Sequence, residues 1–302
     1  MQKLLLKLNR TFKMKTLNLL LIVALLTVSS CNTDDSQPKA DAPNLIVKLN
    51  FDANQQRLDN LGQPATIPTG NAAQTPTIKS MSANYIEFAP TATTLLGEGE
   101  IIYKGAETNA GGDLAIDFQD AIFADDDAIF LSIPLSEIAT GNYQWVRVSL
   151  AYQEGDINFI ANDGNEYTGT LASFVGYNTY ISEFNLNDYI FSIHENKLQG
   201  FWAFEALGFT TQGQAPQGAT TVPNPLFNSS PVPQGSCVVT GQFSNGFTLT
   251  GNETEDITVT LSFSINNCFE WTEVNTDGKY EPSAGEQVVD MGLRGLIPSV
   301  SN

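Results

Sequence analysis

Oxygen-bearing side chains recur at alternate positions in Glu273-Val274-Asn275-Thr276-Asp277-Gly278-Lys279-Tyr280-Glu281, and a further acid stands at Glu286. Such spacing around a turn glycine suits Ca²⁺, which takes about six to eight hard oxygen ligands. The candidate ligands are therefore Glu273, Asn275, Asp277, the Lys279 carbonyl, Glu281 and Glu286, with calcium as the candidate ion. Where a bidentate acid is expected, six residues after the glycine, the chain has Ala284, and Glu286 follows two residues later. The competing reading is an Asp-Gly turn between strands, its acids facing water.

The calcium reading rests on a resemblance to the start of an EF-hand or dockerin loop, here without evident flanking helices. Other acids offer less. Asp117, Asp120 and Asp125-Asp126-Asp127 could gather a cation or form a charged loop between strands. His194, the sole histidine, has Glu195 beside it but no G-x-S-x-G nucleophile context, so no catalytic triad is nominated. With 33 Asp+Glu an acid-pair hydrolase is conceivable, yet linear spacing singles out no pair and no catalytic residue. Neither a phosphate loop nor a dinucleotide fingerprint is present. Large rings at Tyr143, Trp145, Phe201, Trp202, Phe204 and Trp271 fit either a sandwich core or a face for sugars or a protein partner.

Three cysteines divide into two roles. Cys237 and Cys268, in an oxidising envelope, are expected to form a disulfide worth about 3–4 kcal/mol by chain entropy. Cys31 follows a basic start at Met14-Lys15, an apolar run over Leu19–Val28 and the small residues Ser29-Ser30. That run falls short of the roughly 20 residues a spanning helix needs. The segment reads as a secretory signal over residues 1–30, with translation starting at Met1 or Met14. Its end resembles the lipobox of bacterial lipoproteins. The resemblance implies cleavage before Cys31, acylation there and a protein held to the membrane by lipid. Asp34-Asp35 resembles the export signal of surface-exposed lipoproteins in Bacteroidota-type bacteria, which implies the outer face of the outer membrane. Residues 31–43, polar and proline-bearing, read as a flexible tether.

Charge narrows the partners. The whole chain carries −19, and removing residues 1–30 takes away five basic residues and no acid, leaving 9 Lys+Arg against 33 acids. An excess of that size argues against nucleic acid and anionic lipid, which both need cationic patches. An envelope protein or a glycan is the expected partner class.

The elements that must position these residues are strands. Leu45, Val47, Leu49 and Phe51 alternate with polar residues, as do Ile257, Val259, Leu261, Phe263 and Ile265. Further strands are expected at Tyr85–Phe88, Gly99–Lys104, Leu114–Phe118, Ala128–Ile133, Tyr143–Tyr152, Tyr167–Val175, Tyr180–Phe184, Gly200–Glu205, Val238–Phe243 and Phe247–Leu249. Gly111-Gly112, Asn162-Asp163-Gly164-Asn165 and Ser244-Asn245-Gly246 punctuate them. Only Ser182–Phe191 and Pro134–Ile138 suggest a helical turn or two. The expectation is an all-β, antiparallel β-sandwich over residues 44–302 with long irregular loops, either one unit or two packed sheet units divided near residue 210. The Gly/Pro-rich stretch 209–236 is a long loop or that boundary, and the tail from Glu273 is expected to pack irregularly.

The strand Leu45–Phe51, the segment Ile138-Ala139-Thr140-Gly141-Asn142-Tyr143 and the strand Gln144–Tyr152 resemble the MbnP-like β-sandwich lipoproteins. That family's copper site uses imidazoles; with one histidine this chain lacks the ligands, so the resemblance implies the fold without copper. The function expected is a surface binding or accessory module rather than an enzyme. The alternatives are a calcium-stabilised carbohydrate-binding protein and an acid-pair hydrolase.

Overall fold

The protein is described by a computed structural model covering residues 42–59, 61–215, 236–291, 293 and 295–301. The signal segment, Cys31, most of the tether and residues 216–235 of the Gly/Pro-rich stretch lie outside the described residues.

Strands dominate, as the period-two patterning requires. In chain order they are β1 (Asn44–Asp52), β2 (Asn71–Gln74), β3 (Thr77–Ala89), β4 (Glu100–Lys104), β5 (Glu107–Thr108) and β6 (Ala115–Asp117). Next come β7 (Ile129–Pro134), β8 (Gly141–Ile160), β9 (Glu166–Phe174), β10 (Asn178–Leu186), β11 (Tyr189–Leu198) and β12 (Phe201–Ala206). The last are β13 (Phe209–Gln214), β14 (Cys237–Leu249), β15 (Ile257–Ser264), β16 (Phe269–Thr272), β17 (Val288–Asp290) and β18 (Leu296–Ser301). The fold is all-β, consistent with a β-sandwich.

A seven-stranded sheet forms the centre, in the order β13-β12-β9-β8-β3-β4 with β14 also paired to β8. The 20-residue β8 makes this possible, because its first half pairs with β14 and its second half with β9. The sheet β18-β15-β1-β7 packs Leu45, Val47, Leu49, Val259, Leu261 and Phe263 against Val146, Val148 and Leu150 of β8. The sheet β11-β10-β6-β5 packs Ile181, Phe184 and Leu186 against Tyr152, Ala172, Phe174, Phe201 and Ala203. These two sheets meet the even-numbered side chains of β8, so they tile one face of the central sheet. The small sheet β17-β16-β2 packs Phe269 and Trp271 against Ile157 and Leu171, whose odd parity on β8 and β9 marks the opposite face.

Both strongly alternating strands bury the residues expected. In β1 and β15 every odd-numbered residue through Phe51 and Phe263 is buried, and its even-numbered neighbours through Asn50 and Ser262 are half exposed. They pair with each other in parallel, however, and only their outer neighbours β7 and β18 are antiparallel.

Several expectations need correction. Ser182–Phe191 is no helix but the β10–β11 hairpin, because Ile181, Phe184 and Leu186 reach the core from an extended strand. Ser244-Asn245-Gly246 does not separate two strands; it bulges from β14, whose two halves both pair with β8. The tail is not irregular throughout, since β17 and β18 complete two sheets. No boundary falls near residue 210: Ala42–Asn302 is one unit, and β12, β13 and β14 share one sheet. The 3-10 turn at Leu135–Glu137 is where a helical turn was expected.

The expected Cys237–Cys268 disulfide is not formed. Cys237 opens β14 opposite Leu150, whereas Cys268 closes a turn on the Ile265 carbonyl ahead of β16. Both pack as small apolar groups in the main core. Burial, reinforced by the charge of Asp290, pushes the Cys268 thiol well above its ordinary pKa.

Candidate functional site

The central sheet presents an unusual surface where β8, β9, β12 and β13 run side by side. On β12, Phe201 and Ala203 point into the core, which leaves Trp202 and Phe204 on the other face. Both rings lie across glycines of the neighbouring strands. A Cβ on Gly213 would stand 2.6 Å from Trp202 Cζ2, and one on Gly169 would stand 2.2 Å from Phe204 Cζ. Glycine at these two strand positions is what allows rings to lie along the sheet. Ile157, Phe159 and Leu171 extend the surface, with the Phe159 and Phe204 rings 5.5 Å apart edge to face.

A roof stands over this floor. Phe269 of β16, Tyr280, Pro282, Glu286, Gln287, Val288 and Met291 face it across a cavity of about 550 Å³. Tyr280 packs 5.3 Å from Phe269 and 5.5 Å from the buried Trp271, and its carbonyl accepts from Ile160 N at 2.8 Å. Burial, then the nearby Glu286 charge, pushes the Tyr280 phenol up to about 12. Below, β16 is anchored by the buried Arg57–Glu270 ion pair and by Asn71 Nδ2 donating to Glu270 at 2.5 Å.

The acids nominated as calcium ligands build this roof instead. Glu286, 4% exposed, accepts from Glu281 N at 2.6 Å, Val274 N at 3.0 Å and Asn275 N at 3.4 Å. Glu273 accepts from Asp277 N at 2.7 Å, Gly278 N at 2.8 Å and the Trp271 indole N–H at 3.1 Å. Asp277 accepts from Lys279 N at 2.9 Å, Asn275 Nδ2 donates to Glu281, and the Lys279 ammonium lies 3.3 Å from Glu166. The loop thus turns its amides inward onto carboxylates, the polarity opposite to a cation site. Among the described residues no group of three or more His, Cys, Asp or Glu side chains is placed to hold a metal. Gly278 does turn left-handed at φ 73°, as the Asp-Gly turn reading required.

Other acidic candidates also serve the backbone. Asp126 accepts from Phe51 N at 2.7 Å and Asn50 Nδ2 at 3.2 Å, and Asp163 accepts from Asn165 N and the Tyr167 hydroxyl in the β8–β9 turn. His194 is exposed on a bulge of β11 at φ 55°, and Glu195 bonds Lys197 rather than the imidazole. Glu154 and Glu183 do share a groove of about 440 Å³ with Phe118 and Phe123, the Tyr152 hydroxyl donating to Glu154 at 2.8 Å.

Sequence reasoning singled out Trp202 and Phe204 but not Phe159, Leu171, Tyr280 or Met291. Its usable signal was the glycine inside each of the strands Glu166–Phe174 and Phe209–Gln214. The arrangement offers an apolar molecule a space between an aromatic floor and an aromatic roof; among the described residues lining it no nucleophile, base and oxyanion donor come together. Comparison with protein-family models, with curated proteins and with solved structures returned no match for this chain.

Proposed function

We propose that this protein is a non-enzymatic binding module of the cell envelope, tethered by lipid at Cys31, with the aromatic cavity as its ligand site. The observation that carries the ligand site is the cavity itself: about 550 Å³, floored by Trp202, Phe204 and Phe159 and roofed by Phe269 and Tyr280. That volume lies within the usual range for small-molecule sites, and its mainly apolar lining suits burial of an apolar ligand. The lipobox-like segment ending at Cys31 supports the anchor, and the acidic pair behind it supports display at the outer surface, facing a glycan or an envelope protein. The fold expected from the MbnP-like resemblance agrees with this role, without copper.

The ligand site is tested with the neutral dye N-phenyl-1-naphthylamine, whose emission rises in apolar pockets. Wild type should bind it saturably, and Thr211→Trp should weaken binding by about tenfold, because exposed Thr211 lines the cavity where a larger ring would block it. Equal binding by both proteins would show that the cavity is not the ligand site.

A second reading, an acid-pair hydrolase, has one observation in its favour: Glu154 and Glu183 line one open groove beside Phe118 and Phe123. Glycoside hydrolysis by wild type that is lost in both Glu154→Gln and Glu183→Gln would establish it in place of the binding module.

A further inference from the structure

We infer that the aromatic cavity selects an organic cation, an apolar body carrying a quaternary or alkylated ammonium, and rejects anions; this rests on the cavity being the ligand site. Five rings line it, from Phe159, Trp202, Phe204, Phe269 and Tyr280. Aromatic faces carry negative electrostatic potential, so a cation held among them is attracted where an anion is repelled. Among the described residues the only charged side chain in the lining is Glu286, and none of those lining the cavity is Lys, Arg or His.

Glu286 is buried, and its hydrogen-bond partners are backbone amides, which stabilise its negative charge without bringing a formal positive charge. Together with burial, that charge helps to hold the Tyr280 phenol protonated. A ligand carboxylate or phosphate entering here would meet Glu286 with no countercharge among the described lining residues. An ammonium would find ring faces and the negative charge of Glu286, whose oxygens themselves stay bonded to the loop amides. Trp202 is the ring best suited to the task, since indole is the strongest of the cation-binding faces. Gly213 keeps that indole flat on the floor: the would-be Cβ there lies 2.6 Å from Cζ2 and 2.9 Å from Cε2. The excess of acids over bases in the whole chain, 33 against 14, adds a long-range pull on cations.

The test uses the full chain carrying Cys31→Ala, so that no acyl group competes for the cavity. Titration compares phenyltrimethylammonium with its uncharged isostere tert-butylbenzene and with benzenesulfonate, following tryptophan fluorescence. The cation should bind at least about tenfold more tightly than the isostere, and benzenesulfonate should not bind. Trp202→Leu, which keeps an apolar side chain, should weaken the cation by about tenfold and the isostere by less than about threefold, while Trp202→Phe restores part of the preference. Binding of the isostere as tight as that of the cation overturns the inference and leaves the apolar cavity standing. Binding of benzenesulfonate overturns it equally. Absence of binding by all three removes the ligand site and the inference together.

Discussion

Replacing Glu286 by alanine separates a structural carboxylate from a metal ligand. The side chain is 4% exposed and accepts three backbone N–H groups, at 2.6 Å from Glu281, 3.0 Å from Val274 and 3.4 Å from Asn275. The longest is marginal, so two bonds count. Hydrogen bonds to a charged group contribute about 1.5–3 kcal/mol each, which sets an upper figure of about 3–6 kcal/mol. Val274 is itself 52% exposed, so a loosened loop can rehydrate its amides and the loss should sit near 2–3 kcal/mol. Glu286→Gln keeps one carbonyl acceptor and should lose about half as much. Urea unfolding followed by tryptophan fluorescence measures this, with an unchanged slope showing that the same surface is exposed. A loss below about 0.5 kcal/mol in the alanine variant would refute the structural role. So would a wild-type midpoint that rises with millimolar Ca²⁺ when that of Glu286→Ala does not, since the acid would then be a ligand.

Gly169→Ala should destabilise by about 1–2 kcal/mol, because the new methyl group meets the Phe204 ring at 2.2 Å, and Phe204→Leu should recover part of that loss; equal stability of wild type and Gly169→Ala in urea contradicts the floor geometry. Tyr280, held up to about 12 by burial and then by Glu286, contributes stability that is complete below the unfolded value near 10 and is lost as pH rises through 12. The urea midpoint should therefore fall between pH 9.5 and pH 11.5 and fall less in Tyr280→Phe; identical pH dependence in the two proteins removes this contribution. Cys268, whose buried thiol is held protonated, should resist iodoacetamide at pH 8 until the protein is unfolded, as read by peptide mass; prompt labelling of the folded protein speaks against its burial. Cys31→Ala should move the protein from the membrane fraction to the soluble one, and an unchanged distribution excludes lipid at Cys31 as the anchor.

Much of the fold was legible because burial on one face writes itself into alternation. Leu45 to Phe51 and Ile257 to Phe263 each face a single core, so their pattern is unbroken. The partner of a strand is not written there: nothing in either segment announces that the two pair in parallel although residues 53–256 lie between them. Ser182–Phe191 misled because its apolar residues serve a hairpin whose bulge at Ile181/Glu183 breaks the period. Patterning failed differently at the site. Strands β9 and β12 are covered on both faces, so alternation could not separate core rings Phe174 and Phe201 from cavity rings Trp202 and Phe204. The acids of residues 273–286 were visible as a cluster, but Glu286, Asp277 and much of Glu273 are bonded by backbone amides, and amides have no signature in a sequence.

Ligand is proposed to bind between the aromatic floor and roof. Amide chemical-shift mapping with phenyltrimethylammonium tests it most directly. Shifts are expected at Ile157, Phe159, Leu171, Trp202, Phe204, Gly213, Phe269, Tyr280 and Val288, with the groove at Phe118, Tyr152, Glu154 and Glu183 unmoved. Shifts confined to that groove, or none at the cavity, would contradict it.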